Sequence, residues 1–105
     1  IHTFGTDGIN LTLVTKSIIT NNLILNPSES AANTSDGIIL QGTSTYNVIS
    51  NNTISRTSGN MRYGIREDSA TDGPNTITGN IVLNWTTGGI STQHASTDVS
   101  HNITT

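Results

Sequence analysis

The sequence predicts an all-β solenoid, a three-sided parallel β-helix of about four coils. Three observations predict it. A Gly-Ile pair recurs at Gly8-Ile9, Gly37-Ile38, Gly64-Ile65 and Gly89-Ile90, at intervals of 29, 27 and 25 residues. An asparagine recurs at Asn22, Asn52, Asn80 and Asn102, each time just ahead of a short β-type run. Asn, Ser and Thr number 13, 12 and 19 among 105 residues, and only 10% of the chain is charged, yet Ile occurs 14 times. Disordered chains combine high charge with few β-branched residues, so this polarity belongs to a folded β protein.

Each period holds three short β-type runs: a Gly-Ile-x-Leu run, an x-Ile-Ser/Thr run and an Asn-x-Ile run. The coils start near residues 7, 36, 63 and 88 and form one domain over 1–105. Strands this short make no independent sheet. They become stable when each coil stacks on the next at about 4.8 Å, so that the Ile column forms a continuous core.

The elements follow in order around one coil. The Gly of each Gly-Ile pair marks a bend entering the first strand. The Asn column falls in a tight turn between the second and third strands, where a residue tolerant of the left-handed region is needed. Stacked Asn side chains there can also hydrogen-bond from coil to coil. The preceding residues, Asn21, Asn51, Gly79 and His101, suit unusual backbone angles as well. Loops of unequal length fall at 26–35, 56–62 and 85–87 on one side of the first strand, and at 68–74 and 93–97 on the other.

Alternation along the first strand sets its two faces. With Ile9, Ile38, Ile65 and Ile90 inward, Asn10, Ile39, Arg66 and Ser91 form one outward row, and Thr12, Gln41, Asp68 and Gln93 form the next. Glu67 falls on the inward parity, below Leu11 and Leu40. A buried carboxylate must be hydrogen-bonded. The expectation is that it accepts backbone N–H groups of the turn 69–73. Asp7 and Asp36 precede a bend Gly and read as turn residues.

Several functions are excluded by composition. Four Lys and Arg against seven Asp and Glu give a net charge of −3, so no basic patch serves nucleic acid. No apolar run is long enough for a membrane-spanning helix. Without Cys there is no disulfide framework and no thiolate site. No metal-ligand spacing is present.

The run Asn47-Val48-Ile49-Ser50-Asn51-Asn52-Thr53-Ile54, with Gly-Ile about a dozen residues earlier, resembles the right-handed parallel β-helix superfamily. That group includes pectate-lyase-like proteins, carbohydrate-binding and sugar-hydrolase β-helix repeats, and phage tailspikes. The resemblance covers Asp7 to Thr105 and implies a right-handed helix. Tyr63-Gly64-Ile65-Arg66-Glu67 and Asn75-Thr76-Ile77-Thr78-Gly79-Asn80 are similar to β-helix segments of phage or bacterial cell-surface proteins. Tyr63-Gly64 also matches the start of an alginate-epimerase motif, whose Asp-Pro-His is replaced here by Arg66-Glu67-Asp68. Pectate-lyase-type Ca²⁺ sites cluster Asp on successive coils. That cluster is lacking, so no cofactor is expected and Ca²⁺ is the one ion the resemblance brings into view.

The expected function is a rigid face that recognises a polysaccharide or cell-surface glycan, on an extracellular, cell-surface or virion protein. Its expected residues are Tyr63, Arg66, Asp68, Gln41, Gln93 and Trp85. The hydroxyls, amides and charges suit sugar hydroxyls, and the two aromatics suit a pyranose face. The alternatives are part of a polysaccharide lyase, hydrolase or epimerase completed by residues outside the chain, and a structural spacer. For catalysis the candidates are Asp68, Arg66, Glu67 and His94, gathered near one strand end. The chain starts at Ile1 and stops at Thr105 in mid-coil without a capping helix. A fragment of a longer β-helix is expected, or a protomer whose ends are covered by a homotrimer or by stacking onto further coils.

Overall fold

The computed structural model describes residues 7–25, 27, 35–56 and 61–105. The loop stretches 28–34 and 57–60 lie outside the described residues. Every β-branched run named above forms a strand of two to five residues. The first coil carries β1 (Ile9–Thr12), β2 (Ile18–Thr20) and β3 (Leu23–Leu25). The second carries β4 (Ile38–Gln41), β5 (Val48–Ser50) and β6 (Thr53–Ser55), and the third β7 (Tyr63–Glu67), β8 (Thr76–Thr78) and β9 (Ile81–Leu83). The fourth carries β10 (Gly88–Ser91), β11 (Asp98–Ser100) and β12 (Ile103–Thr104).

Corresponding strands stack into three parallel sheets, β1-β4-β7-β10, β2-β5-β8-β11 and β3-β6-β9-β12. Register is strict: Ile9 pairs Ile38, Ile38 pairs Ile65, and Ile65 pairs Ile90. The second sheet aligns Ile19, Ile49, Ile77 and Val99, and the third aligns Ile24, Ile54, Val82 and Thr104. A one-residue slip would turn every one of these side chains to solvent, so the apolar alternation itself holds the register. The core enclosed by the three sheets is built from Leu11, Ile24, Ile38, Leu40, Ile49, Ile54, Met61, Ile65, Ile77 and Val82, all buried.

Gly8 and Gly37 form the expected bend before the first strand, Gly64 and Gly89 already lie within it, and all four share a steric reason as well. None of Gly8, Gly37, Gly64 and Gly89 has positive φ. Each is needed because the first strand runs close over the third strand of its own coil. A Cβ on Gly37 would stand 2.5 Å from the Gly64 carbonyl oxygen and 2.5 Å from Ile54 Cγ2. The carbonyl is fixed in the stack, so the methyl has nowhere to go.

The Asn column is likewise displaced by one residue from its expected conformational role. The left-handed residues are Asn21 (φ 59), Asn51 (φ 55), Gly79 (φ 69) and His101 (φ 56). That residue turns the chain, and the Asn after it sends its amide inward. Asn52 Nδ2 donates to the Ile19 carbonyl at 3.0 Å and to Asn80 Oδ1 at 3.0 Å. Asn52 Oδ1 accepts from Asn22 N at 3.0 Å and from Asn22 Nδ2 at 3.1 Å. Asn80 repeats the pattern with Ile49 and Asn102.

A second ladder runs through the corner before the second strand. Asn47 Oδ1 accepts from Ser17 N at 3.0 Å, and Asn75 Oδ1 accepts from Asn47 N at 2.9 Å. Thr97 closes it by accepting from Asn75 N at 3.1 Å. Asn47, Asn52, Asn75 and Asn80 are all buried, and their bonds satisfy corner amides that the sheets leave over.

Two stability outcomes follow. Asn52→Ala leaves Asn22 N, Asn22 Nδ2 and the Ile19 carbonyl short of a partner, and should lower unfolding free energy by about 2–4 kcal/mol. Urea denaturation checks it, and Asn102→Ala, with solvent beside it, should cost clearly less. Gly37→Ala should cost about 1–3 kcal/mol by overpacking, against little change for Ala at Gly88, where the nearest atoms belong to the Tyr63 ring at 3.1 Å.

Candidate functional site

The first sheet holds the first expected row in register and the start of the second, but Ile39 on the first row is buried. Asn10, Ile39, Arg66 and Ser91 are in register, and so are Thr12 and Gln41. Asp68 extends the ladder past β7 by donating its N–H to the Leu40 carbonyl at 2.9 Å. The side chains of the first two coils are tied to one another. Thr12 Oγ1 donates to Asn10 Oδ1 at 2.6 Å, and Gln41 Nε2 donates to Asn10 Oδ1 at 3.2 Å and to Thr12 Oγ1 at 3.1 Å.

On the third coil the face is ionic. Asp36, 0% exposed, receives Arg62 in a two-point contact, Nε to Oδ1 at 3.0 Å and Nη2 to Oδ2 at 2.8 Å. Arg66 Nε adds a bond to Asp36 Oδ2 at 2.9 Å, and Tyr63 N adds one to Oδ1 at 3.2 Å. A forked, charge-assisted contact is among the stronger hydrogen-bond types. The hydrogen bond to Asp36 raises the Arg62 pKa further above its usual range, against the opposing effect of burial. The other end of Arg66 reaches outward, with Nη2 2.8 Å from Asp68 Oδ1. Asp68 is 46% exposed, so its carboxylate stays accessible while its position is held. The Tyr63 ring lies over Gly88 and has the Arg62 and Arg66 guanidinium carbons 5.7 and 6.0 Å from its centroid.

Asp36 was expected to be a turn residue. It is instead the buried anchor of both arginines. The signal was spacing: Arg62 and Arg66 stand 26 and 30 residues after it, about one coil.

Glu67 is inward and 0% exposed, but its partners differ from those expected. Oε2 accepts the N–H groups of Gln93 and His94, each at 2.9 Å, in the loop of the next coil. Oε1 accepts from Thr97 Oγ1 and, at 3.3 Å, from Asn75 Nδ2. The turn 69–73 is closed by buried Asp72, whose Oδ2 accepts Ser69 N at 2.9 Å and whose Oδ1 accepts Thr43 N at 2.8 Å and Ser44 N at 3.1 Å. Both carboxylates therefore close loops on a neighbouring coil, and Glu67 is buried beneath them. His94 packs on Gly73, and its Nδ1 accepts Ser96 N at 3.0 Å within its own turn. The four catalytic candidates thus divide: Arg66 and Asp68 share the outer face, while Glu67 and His94 serve the loop.

Gln93 is exposed just beyond β10. Trp85 does not join this face. It lies in the corner between β9 and β10 and packs against the core, with its Nε1 buried and unpartnered. Among the described residues no group of three His, Asp or Glu could hold a metal ion.

The family model for the right-handed beta helix region matches residues 1–105, the whole chain. The chain belongs to the right-handed β-helix family. No curated protein and no solved structure matches it. The family accounts for the parallel stacking and the inward Ile columns of this β-helix, and leaves the use of its outer faces open.

Glu67→Gln places N–H donors against the donors of Gln93 and His94 or of Thr97 and Asn75. It should destabilise the β-helix by about 2–4 kcal/mol in chemical denaturation.

Proposed function

We propose that the outer face of the first sheet recognises a polysaccharide, as part of an extracellular, cell-surface or virion β-helix protein. One observation carries the reading. The polar groups on this face are ordered before any ligand arrives: Gln41, Thr12 and Asn10 hold one another, and Arg66 is clamped between Asp36 and Asp68. Groups held this way lose little conformational freedom on binding. Coils repeat at about 4.8 Å, so the rows offer evenly spaced acceptors and donors to a chain of sugars. The ligand suited to the face is rich in hydroxyls. Asp68 and Arg66 neutralise one another, which favours no strong net charge in it.

A glycan array on the protein, followed by calorimetry on the best ligand, tests this. Binding should weaken about tenfold in Gln41→Ala and in Asp68→Ala, with urea midpoints almost unchanged. Absence of binding to every glycan, or binding indifferent to both substitutions, would sink the proposal. Turnover of the glycan that is lost in Asp68→Asn would replace recognition by catalysis.

A further inference from the structure

The corner between the first and second sheets holds a separate concavity of about 310 Å³. It runs across three coils and is lined by Tyr46, Val48, Pro74, Thr76, Ser96 and Asp98. Stacking produces it: Val48, Thr76 and Asp98 are in register on the outer side of the second sheet.

Two features mark it as more than a seam between coils. Tyr46 is 63% exposed. Its backbone is left-handed, with φ 57. A bulky side chain is an outlier in that region, where Asn and Gly are the easy choices. Lys16, the equivalent residue of the first coil, is left-handed too, with φ 55, so the conformation belongs to the corner itself. Tyr46 is also held, since its N–H donates to the Pro74 carbonyl at 2.6 Å.

The second feature is the polar set that lines the same hollow. Asp98 is exposed, and its carboxylate takes part in no hydrogen bond or ion pair among the described residues. The Thr76 and Ser96 hydroxyls line the same hollow, and no cation does. An aromatic face beside a free carboxylate and two hydroxyls matches one ligand chemistry: a ring with an apolar face and a rim of hydroxyl donors. An unpaired carboxylate repels an anionic ligand.

We propose that this corner is a subsite for a single uncharged hexopyranose unit, with the ring stacked on Tyr46 and its hydroxyls donating to Asp98. It shares the sugar chemistry of the first-sheet reading but uses none of its residues.

Titration of the ¹⁵N-labelled protein with methyl β-glucopyranoside, methyl β-galactopyranoside, methyl α-mannopyranoside and methyl β-glucuronide tests it. At least one neutral glycoside should give saturable shifts at the Tyr46, Thr76, Ser96 and Asp98 amides, with a dissociation constant in the millimolar range. The glucuronide should bind about tenfold more weakly, or not at all. Tyr46→Ala and Asp98→Asn should each weaken binding by about fivefold or more, with the rest of the spectrum kept. No saturable shift at these amides with any neutral glycoside, unchanged affinity in Tyr46→Ala, or equal binding of the glucuronide would overturn the proposal. Shifts at Gln41, Asp68 and Gln93 report the first-sheet face independently, so either site can fail without the other.

Discussion

The structure depends on satisfying the buried amides at its corners. Within a sheet, each N–H and C=O finds a partner on the neighbouring coil. At a corner the chain turns and the ladder breaks, yet the turn stays buried between coils. Asn52 and Asn80 repair one corner, and Asn47 and Asn75 repair another. An asparagine suits the task because its carbonyl takes two N–H groups from one side while its NH₂ serves carbonyls and the next asparagine. The apolar core supplies most of the burial, but without these amides each corner would leave unpaired polar groups inside.

The buried carboxylates extend the same solution to less regular loops. Where the first corner lengthens, single amides are not enough, and Glu67 and Asp72 each accept from several donors on a neighbouring coil. In the first two coils the shorter corner is served by Ser44, whose Oγ accepts Val14 N and donates to the Leu11 and Gln41 carbonyls. Acidity inside this β-helix thus tracks loop geometry. That is why inward position and negative charge, which together suggest a catalytic group, describe a structural one at Glu67.

Much of the fold was legible because its determinants are periodic. The Gly-Ile pairs and the Asn column repeat in side-chain type, and the sheets follow from them. The second ladder is less legible because its end members are Ser17 and Thr97, so identity changes along the column while function does not. Its one signal was its constant place, five residues before each Asn of the first ladder. The steric role of Gly37 and the partners of Glu67 were beyond reach for another reason. Both depend on how closely particular coils approach, which a repeat period does not encode. The outward rows of the first strand were legible from alternation, whereas the Asp36–Arg62–Arg66 clamp required matching charges one coil apart. Trp85 shows the limit of residue type: an aromatic in a short loop packs inward or outward according to the room beside Gly89.

Polar residues in this chain therefore divide by employment. Asn47, Asn52, Asn75, Asn80, Glu67 and Asp72 spend their hydrogen-bonding capacity on the interior. Asn10, Thr12, Gln41 and Arg66 spend theirs on ordering one another at the surface. Asp98, Gln93, Thr76 and the hydroxyl of Tyr46 make no side-chain hydrogen bond among the described residues. The left-handed backbone at Tyr46 recurs at Lys16 one coil earlier and so comes with the corner. The amides inside are what stacking demands, and the unemployed groups gathered beside Tyr46 are the ones the proposed subsite would use.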